Sequence, residues 1–119
     1  MVTRKILVVD DEADVVDLVS LILEGLGAPV LTARDGMEAL EIAHQEHPSV
    51  VVTDLMMPHM TGQELCREIR NDPDMDGARV LYLSAGRPPA VEGTCPDAFL
   101  AKPFSIGSLV DEVAGMLEG

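Results

Sequence analysis

A chain of 119 residues has room for one ordinary domain, and with 47% hydrophobic and 24% charged residues it can bury a core without metals or disulfides. Its net charge of −13 argues against DNA, RNA or an anionic membrane as a direct partner, because each of these rewards clustered Lys and Arg. Two cysteines, Cys66 and Cys95, are too few for a disulfide framework, and no apolar run approaches a membrane span or a signal-peptide core, so a reducing cytoplasm is the expected compartment.

Short apolar runs alternate with longer amphipathic stretches, the pattern of βα units around a parallel sheet. Ile6 to Val9 reads as a buried first strand. Asp11 or Glu12 then opens a helix whose Val15, Leu18, Val19, Ile22 and Leu26 share one face, with Gly27 ending it. Pro29 to Ala33 is a second strand and Gly36 to Glu46 a second helix, stopped by Pro48. The third strand, Val50 to Thr53, is closed by Asp54. Thr61 and Glu64 form a capping box ahead of a third helix containing Leu65 and Ile69. Val80 to Leu83 is the fourth strand, with Ser84 at its end. Ala98 to Ala101 is the fifth, followed by Lys102, Pro103 and a last helix capped by Ser105, with Leu109, Val110, Val113 and Leu117 inward.

Right-handed crossovers place helices on both faces of such a sheet, and ligands bind beyond the carboxyl ends of its strands, where the strand order reverses. That rule gathers Asp10, Asp11, Asp54, Ser84 and Lys102 into one crevice. Carboxylates about 4–5 Å apart repel by roughly 4 kcal/mol per pair at an effective dielectric near 20, so they call for a cation or a raised pKa. An oxygen-only donor set points to Mg2+. His44, His47 and His59 are scattered and lack metal-ligand spacing.

Four segments, Val8-Val9-Asp10-Asp11-Glu12, the run from Asp54 to Gly62 that includes Pro58, Leu83-Ser84-Ala85 and Lys102-Pro103-Phe104, together resemble the marks of the response-regulator receiver family, in the family's order and across essentially the whole chain. The resemblance implies one receiver domain over 1–119 and a flavodoxin-like, doubly wound α/β fold with five parallel strands in the order 2-1-3-4-5. It implies that Asp54 is the phosphoacceptor, attacking the phosphorus of a phosphohistidine on a histidine kinase or histidine phosphotransfer protein. Asp11, Asp54 and the backbone carbonyl of Met56 would ligate Mg2+ directly, with Asp10 acting mainly through water. Lys102 would pair with Asp54 before phosphorylation and with the phosphoryl group after it, and the Lys102–Pro103 peptide would be cis. Pro58 and Gly62 would shape the loop beyond Asp54. Ser84 moving toward the phosphoryl group and Phe99 turning into the vacated space would form the switch, while the small Ala85 leaves the phosphorus open.

One stretch departs from the family. Of the 13 residues from Ala85 to Asp97, five are Gly or Pro, so the fourth helix should be shortened or irregular, with one turn or two around Pro89 to Thr94. Receivers commonly dimerise through that face, so either a monomer or a phosphorylation-dependent dimer is expected. No output domain is expected in this chain, and the downstream target is unassigned. The domain would catalyse only its own phosphorylation and dephosphorylation, and so would not be an enzyme in the ordinary sense. Two alternatives are a phosphorylation-independent interaction domain and a haloacid-type aspartate phosphohydrolase, whose Asp-x-Asp pattern Asp10-Asp11-Glu12 does not match.

Overall fold

Ile6–Val9 (β1) buries all four of its side chains, as a strand covered on both faces must; a continuous apolar run is the sequence form of that burial. The computed structural model describes residues 4–85 and 95–118. After β1 come Ala13–Glu24 (α1), Val30–Ala33 (β2), Gly36–Glu46 (α2), Val50–Asp54 (β3), Gly62–Arg70 (α3), a 3-10 turn at Pro73–Met75, Arg79–Ala85 (β4), Ala98–Lys102 (β5) and Ile106–Glu118 (α4). The strands form one parallel sheet in the order β2-β1-β3-β4-β5. The shortened helix expected around Pro89 to Thr94 lies outside the described residues.

The pleat sorts alternate side chains to opposite faces. Leu7, Val9, Val51, Val80 and Tyr82 pack on one side with Ala39 and Ala43 of α2 and Leu65, Cys66 and Ile69 of α3. Ile6, Val8, Val50, Val52, Leu81 and Leu83 pack on the other with Val19 and Leu23 of α1 and Leu109, Val113 and Met116 of α4. Each fully buried aliphatic side chain contributes about 1.5–3 kcal/mol, so the two layers are the main source of stability.

Local signals set the helix ends. Thr61 accepts from the Glu64 N–H at 3.1 Å while Glu64 reaches back to the Thr61 N–H at 3.3 Å, completing the capping box. Ser105 Oγ accepts from the Ser108 N–H at 3.0 Å at the start of α4. α1 differs from its sequence reading in two respects. It closes at Glu24, because Gly25, Leu26 and Gly27 continue through tight i→i+3 bonds to Ile22, Leu23 and Glu24; Gly27, at φ 82°, turns the chain beyond them. Its buried stripe is Val16, Val19 and Leu23, whereas Leu18 is 53% exposed. The helix is apolar on most of its circumference, so periodicity alone leaves its inward face underdetermined.

The cysteines also differ from expectation. Cys66 of α3 and Cys95, just before β5, form a disulfide across 29 residues of sequence, with a Cα–Cα distance of 6.1 Å. Both are buried on the same face of the sheet, a proximity that is invisible in their spacing.

Candidate functional site

β1 leads to one side of the sheet and β3 lies on its other side, so a crevice opens where β1 and β3 end together. Parallel register aligns Val9 with Thr53, Asp54 with Leu83 and Ala85 with Lys102, which brings Asp10, Asp54, Ser84 and Lys102 to the same edge.

Asp10 and Asp54 are buried and Asp11 is exposed, yet one carboxylate oxygen from each lies within 4.8 Å of the others. Asp10 Oδ1 accepts from the Glu12 N–H at 3.0 Å, which turns the chain into α1 and fixes the carboxylate. The Asp11 carbonyl accepts from Arg34 Nη2 at 3.1 Å, a contact the sequence reading did not include because Arg34 carries no motif.

Asp54 Oδ1 accepts from the Leu55 N–H at 2.8 Å. Burial pushes the Asp54 carboxyl above the ordinary carboxylate range, opposed by the Lys102 charge; Asp10 raises it further, and the Leu55 and Met56 N–H groups pull it down. Lys102 Nζ stands 3.4 Å from Asp10 Oδ2 and 3.9 Å from Asp54 Oδ1, so its nearer partner is Asp10.

The loop beyond Asp54 keeps its backbone close to α3. The Gly62 N–H donates to the Leu55 carbonyl at 2.9 Å, and a Cβ at Gly62 would sit 2.5 Å from the Asp54 carbonyl oxygen and 3.0 Å from Leu55 Cα. The Pro58 carbonyl accepts from the Met60 N–H at 2.8 Å, and His59 between them has φ 70°. Thr53 Oγ1 donates to the Asp54 carbonyl at 2.9 Å from inside the core. The Met56 side chain is 74% exposed at the rim.

Ser84 is buried and donates to the Ala85 carbonyl at 3.1 Å. Phe99, beside Tyr82 in the β4–β5 register, packs half-buried against the α2–α3 side of the core. The Lys102–Pro103 peptide is cis, and so is Cys95–Pro96, which the sequence reading did not include.

Three carboxylates in one crevice, one of them buried with a raised pKa, form a hard oxygen donor set of the kind that suits a divalent cation such as magnesium. A carboxylate nucleophile beside a cation and an ammonium is equipped for attack on an electron-poor centre such as phosphorus.

Comparison with known proteins agrees with this arrangement. The chain is 39% identical over 116 residues to the probable transcriptional regulator ycf27 of Guillardia theta, an alignment covering 96% of this chain and 45% of that protein. It thus spans about half the length of the curated relatives it matches. Among solved structures it resembles the chemotaxis response regulator CheY4 of Vibrio cholerae, with TM-score 0.83, 28% identity and coverage of 96% of this chain and 98% of that one. It also resembles the signal receiver domain of a signal transduction histidine kinase from Syntrophus aciditrophicus, with TM-score 0.89, 29% identity and coverage of 98% and 91%. Residues 6–114 match the profile of the response regulator receiver domain. With the parallel order β2-β1-β3-β4-β5 and an acidic crevice at its switch point, the chain belongs to the response regulator receiver domain family.

Proposed function

We propose that Asp54 is the phosphoacceptor of this receiver and that its phosphorylation switches the domain. The observation that carries the reading is the set of Asp10, Asp11 and Asp54 oxygens within 4.8 Å of one another, faced by Lys102. An Asp54 carboxylate oxygen attacks the phosphorus of a phosphohistidine, the P–N bond breaks, and the imidazole leaves with its electron pair and takes up a proton.

Asp11, Asp54 and the Met56 carbonyl would hold Mg2+, with Asp10 acting through water; the ion supplies neutralisation of the carboxylates and of the phosphoryl oxygens. Asp10 keeps Lys102 over the crevice, so the ammonium is poised for the phosphoryl group once the Asp54 charge is engaged. Ser84 then exchanges its local bond to Ala85 for one to the phosphoryl group, and Phe99 follows into the space released. A charge-assisted hydrogen bond of about 1.5–3 kcal/mol shifts a two-state equilibrium by one to two decades, enough for a switch. Pro58 and Gly62 hold the loop that presents Asp54.

Receiver domains are signalling domains, and we read this one as a non-enzyme apart from its own phosphorylation and dephosphorylation. Its partner is a histidine kinase or histidine phosphotransfer protein in the cytoplasm, and it acts on a downstream target without itself binding nucleic acid or membrane. Among the described residues no helix is long and apolar enough to cross a membrane.

Intact-protein mass spectrometry after incubation with a small phosphodonor, with and without magnesium, tests the reading on the wild type and on Asp54→Asn. A magnesium-dependent single adduct absent from Asp54→Asn is expected. No adduct from either a small donor or a phosphohistidine protein would assign the domain to phosphorylation-independent interaction.

A further inference from the structure

Two elements meet the Asp54 site from different directions. α3 begins immediately after the loop that carries Leu55 to Thr61, and β5 ends at Lys102. The Cys66–Cys95 disulfide joins these elements covalently, from the middle of α3 to the residue three positions ahead of β5.

The same junction already has a polar fastening. Arg70, one turn along α3 from Cys66, donates to the Asp97 carboxylate and to the Ala78 carbonyl. Asp97 also accepts from the Val80 N–H at 2.7 Å, and its own N–H donates to the Val80 carbonyl at 3.0 Å. The resting position of the β5 lead-in is therefore specified without the sulfur bridge. What the bridge adds is a limit on how far that lead-in can depart from α3.

We propose that Cys66–Cys95 is a reversible redox tether, closed or opened by thiol–disulfide exchange, that governs how readily the Asp54 site responds to a phosphodonor. The proposal deepens the phosphoacceptor reading and rests on it for its functional arm. Single disulfides in reducing compartments are commonly transient and regulatory.

The exchange partner is a dithiol. Its thiolate attacks Cys95 Sγ; Cys95 is the less buried residue of the pair, at 5% exposure against 0% for Cys66. The Cys66–Cys95 bond breaks, and Cys66 leaves as a thiolate and takes up a proton. The second thiol of the reductant then displaces Cys95 from the mixed disulfide. Two electrons and two protons have passed to the protein, and the reductant departs as its own disulfide.

With the bridge closed, β5 is pinned at its start and Lys102 is held against Asp10 at its end. With the bridge open, the Arg70–Asp97 fastening, the two Asp97–Val80 bonds and the β4–β5 ladder still hold the strand, without a covalent limit on its travel from α3. Opening should loosen residues 95–102 and lower the phosphorylation rate, because the ammonium is less firmly placed.

The test compares oxidised protein, dithiothreitol-reduced protein and the Cys66→Ala/Cys95→Ala double variant. Thiol alkylation followed by mass spectrometry scores bridge state across a dithiothreitol redox series, amide hydrogen exchange reads residues 95–102, and magnesium-dependent adduct formation reads Asp54. Reversible opening in the folded protein, about tenfold faster exchange at 95–102 and an adduct rate lower by about threefold or more are expected. The double variant should match the reduced protein and ignore dithiothreitol. A bridge that opens only on global unfolding, or equal exchange and rates in both redox states, would overturn the proposal and leave a structural staple. If no form accepts phosphoryl, the phosphoacceptor reading fails separately, and bridge reversibility with hydrogen exchange still decides whether the tether exists.

Discussion

Lys102 Nζ lies closer to Asp10 Oδ2, at 3.4 Å, than to Asp54 Oδ1, at 3.9 Å. Asp10 therefore anchors the lysine, while Asp54 Oδ1 lies beyond hydrogen-bonding distance of it. The lysine remains close enough for its charge to offset part of the rise that burial and Asp10 impose on the Asp54 pKa.

Lys102→Met removes that charge with little change in side-chain length. The Asp54 carboxyl should then titrate at higher pH than in the wild type, as read from side-chain carboxyl NMR shifts. Magnesium affinity should rise, because a competing cation has gone, while adduct formation falls by about tenfold or more. An Asp54 titration unmoved by the substitution would show that the ammonium does not act on this carboxylate.

The Asp54 shift also has a sign for stability. Its folded pKa is raised above the ordinary value of 3.8, so between that value and the folded pKa the native state holds more proton than the unfolded chain. The stability contributed by protonated Asp54 is fully present below the unfolded pKa and is lost as pH rises through the folded pKa. Asp54→Asn should remove this loss and raise the neutral-pH melting temperature by a few degrees without magnesium. Magnesium should stabilise the wild type by about 2.7 kcal/mol at a hundred times its Kd and should stabilise the variant less. Thermal melts across pH and magnesium concentration check both.

Two glycines should respond oppositely to alanine. At Gly62 the new Cβ meets the Asp54 carbonyl at 2.5 Å, backbone that cannot yield without displacing the loop beyond Asp54. Gly62→Ala should destabilise by about 1–3 kcal/mol and depress adduct formation. Gly115 lies within α4 with nothing within 4 Å of its Cβ position, and Gly115→Ala should stabilise by about 0.5–1 kcal/mol. Urea titration of the three proteins measures the contrast.

Opening the Cys66–Cys95 bridge frees a loop spanning 29 residues of sequence. On chain entropy this should cost about 3–4 kcal/mol, read as an earlier denaturation midpoint in the Cys66→Ala/Cys95→Ala variant. A midpoint within error of the wild type would show that the unfolded chain is constrained by other means.

The strands and the crevice were legible because their signals are local. Ile6 to Val9 and Val50 to Thr53 are uninterrupted apolar runs, and Asp10 and Asp54 directly follow them, so one topological rule was enough to bring those carboxylates together. The Thr61–Glu64 cap was readable for the same reason. What escaped the sequence depends on distant elements meeting. The preference of Lys102 for Asp10 over Asp54 is a difference of half an ångström between residues at the ends of separate strands. The Cys66–Cys95 pairing needs α3 and the residues just before β5 to meet on one face. The orientation of α1 was misread at Leu18 because Val15, Val16, Leu18, Val19, Leu21, Ile22 and Leu23 spread over more of the helix than its buried stripe occupies, leaving Asp14, Asp17, Ser20 and Glu24 only a narrow polar side.

The contact between Asp10 and Lys102 spans 92 residues of sequence. During synthesis, the amino-terminal strand and its carboxylates leave the ribosome long before the lysine that must stand over them. A nascent chain carrying only β1 to β4 has the acidic groups but not their counter-charge, and the crevice is complete only when the last strand docks at the edge of the sheet. Completion of the crevice is thereby tied to completion of the fold, so truncated or half-finished chains lack the full set of carboxylates and counter-charge.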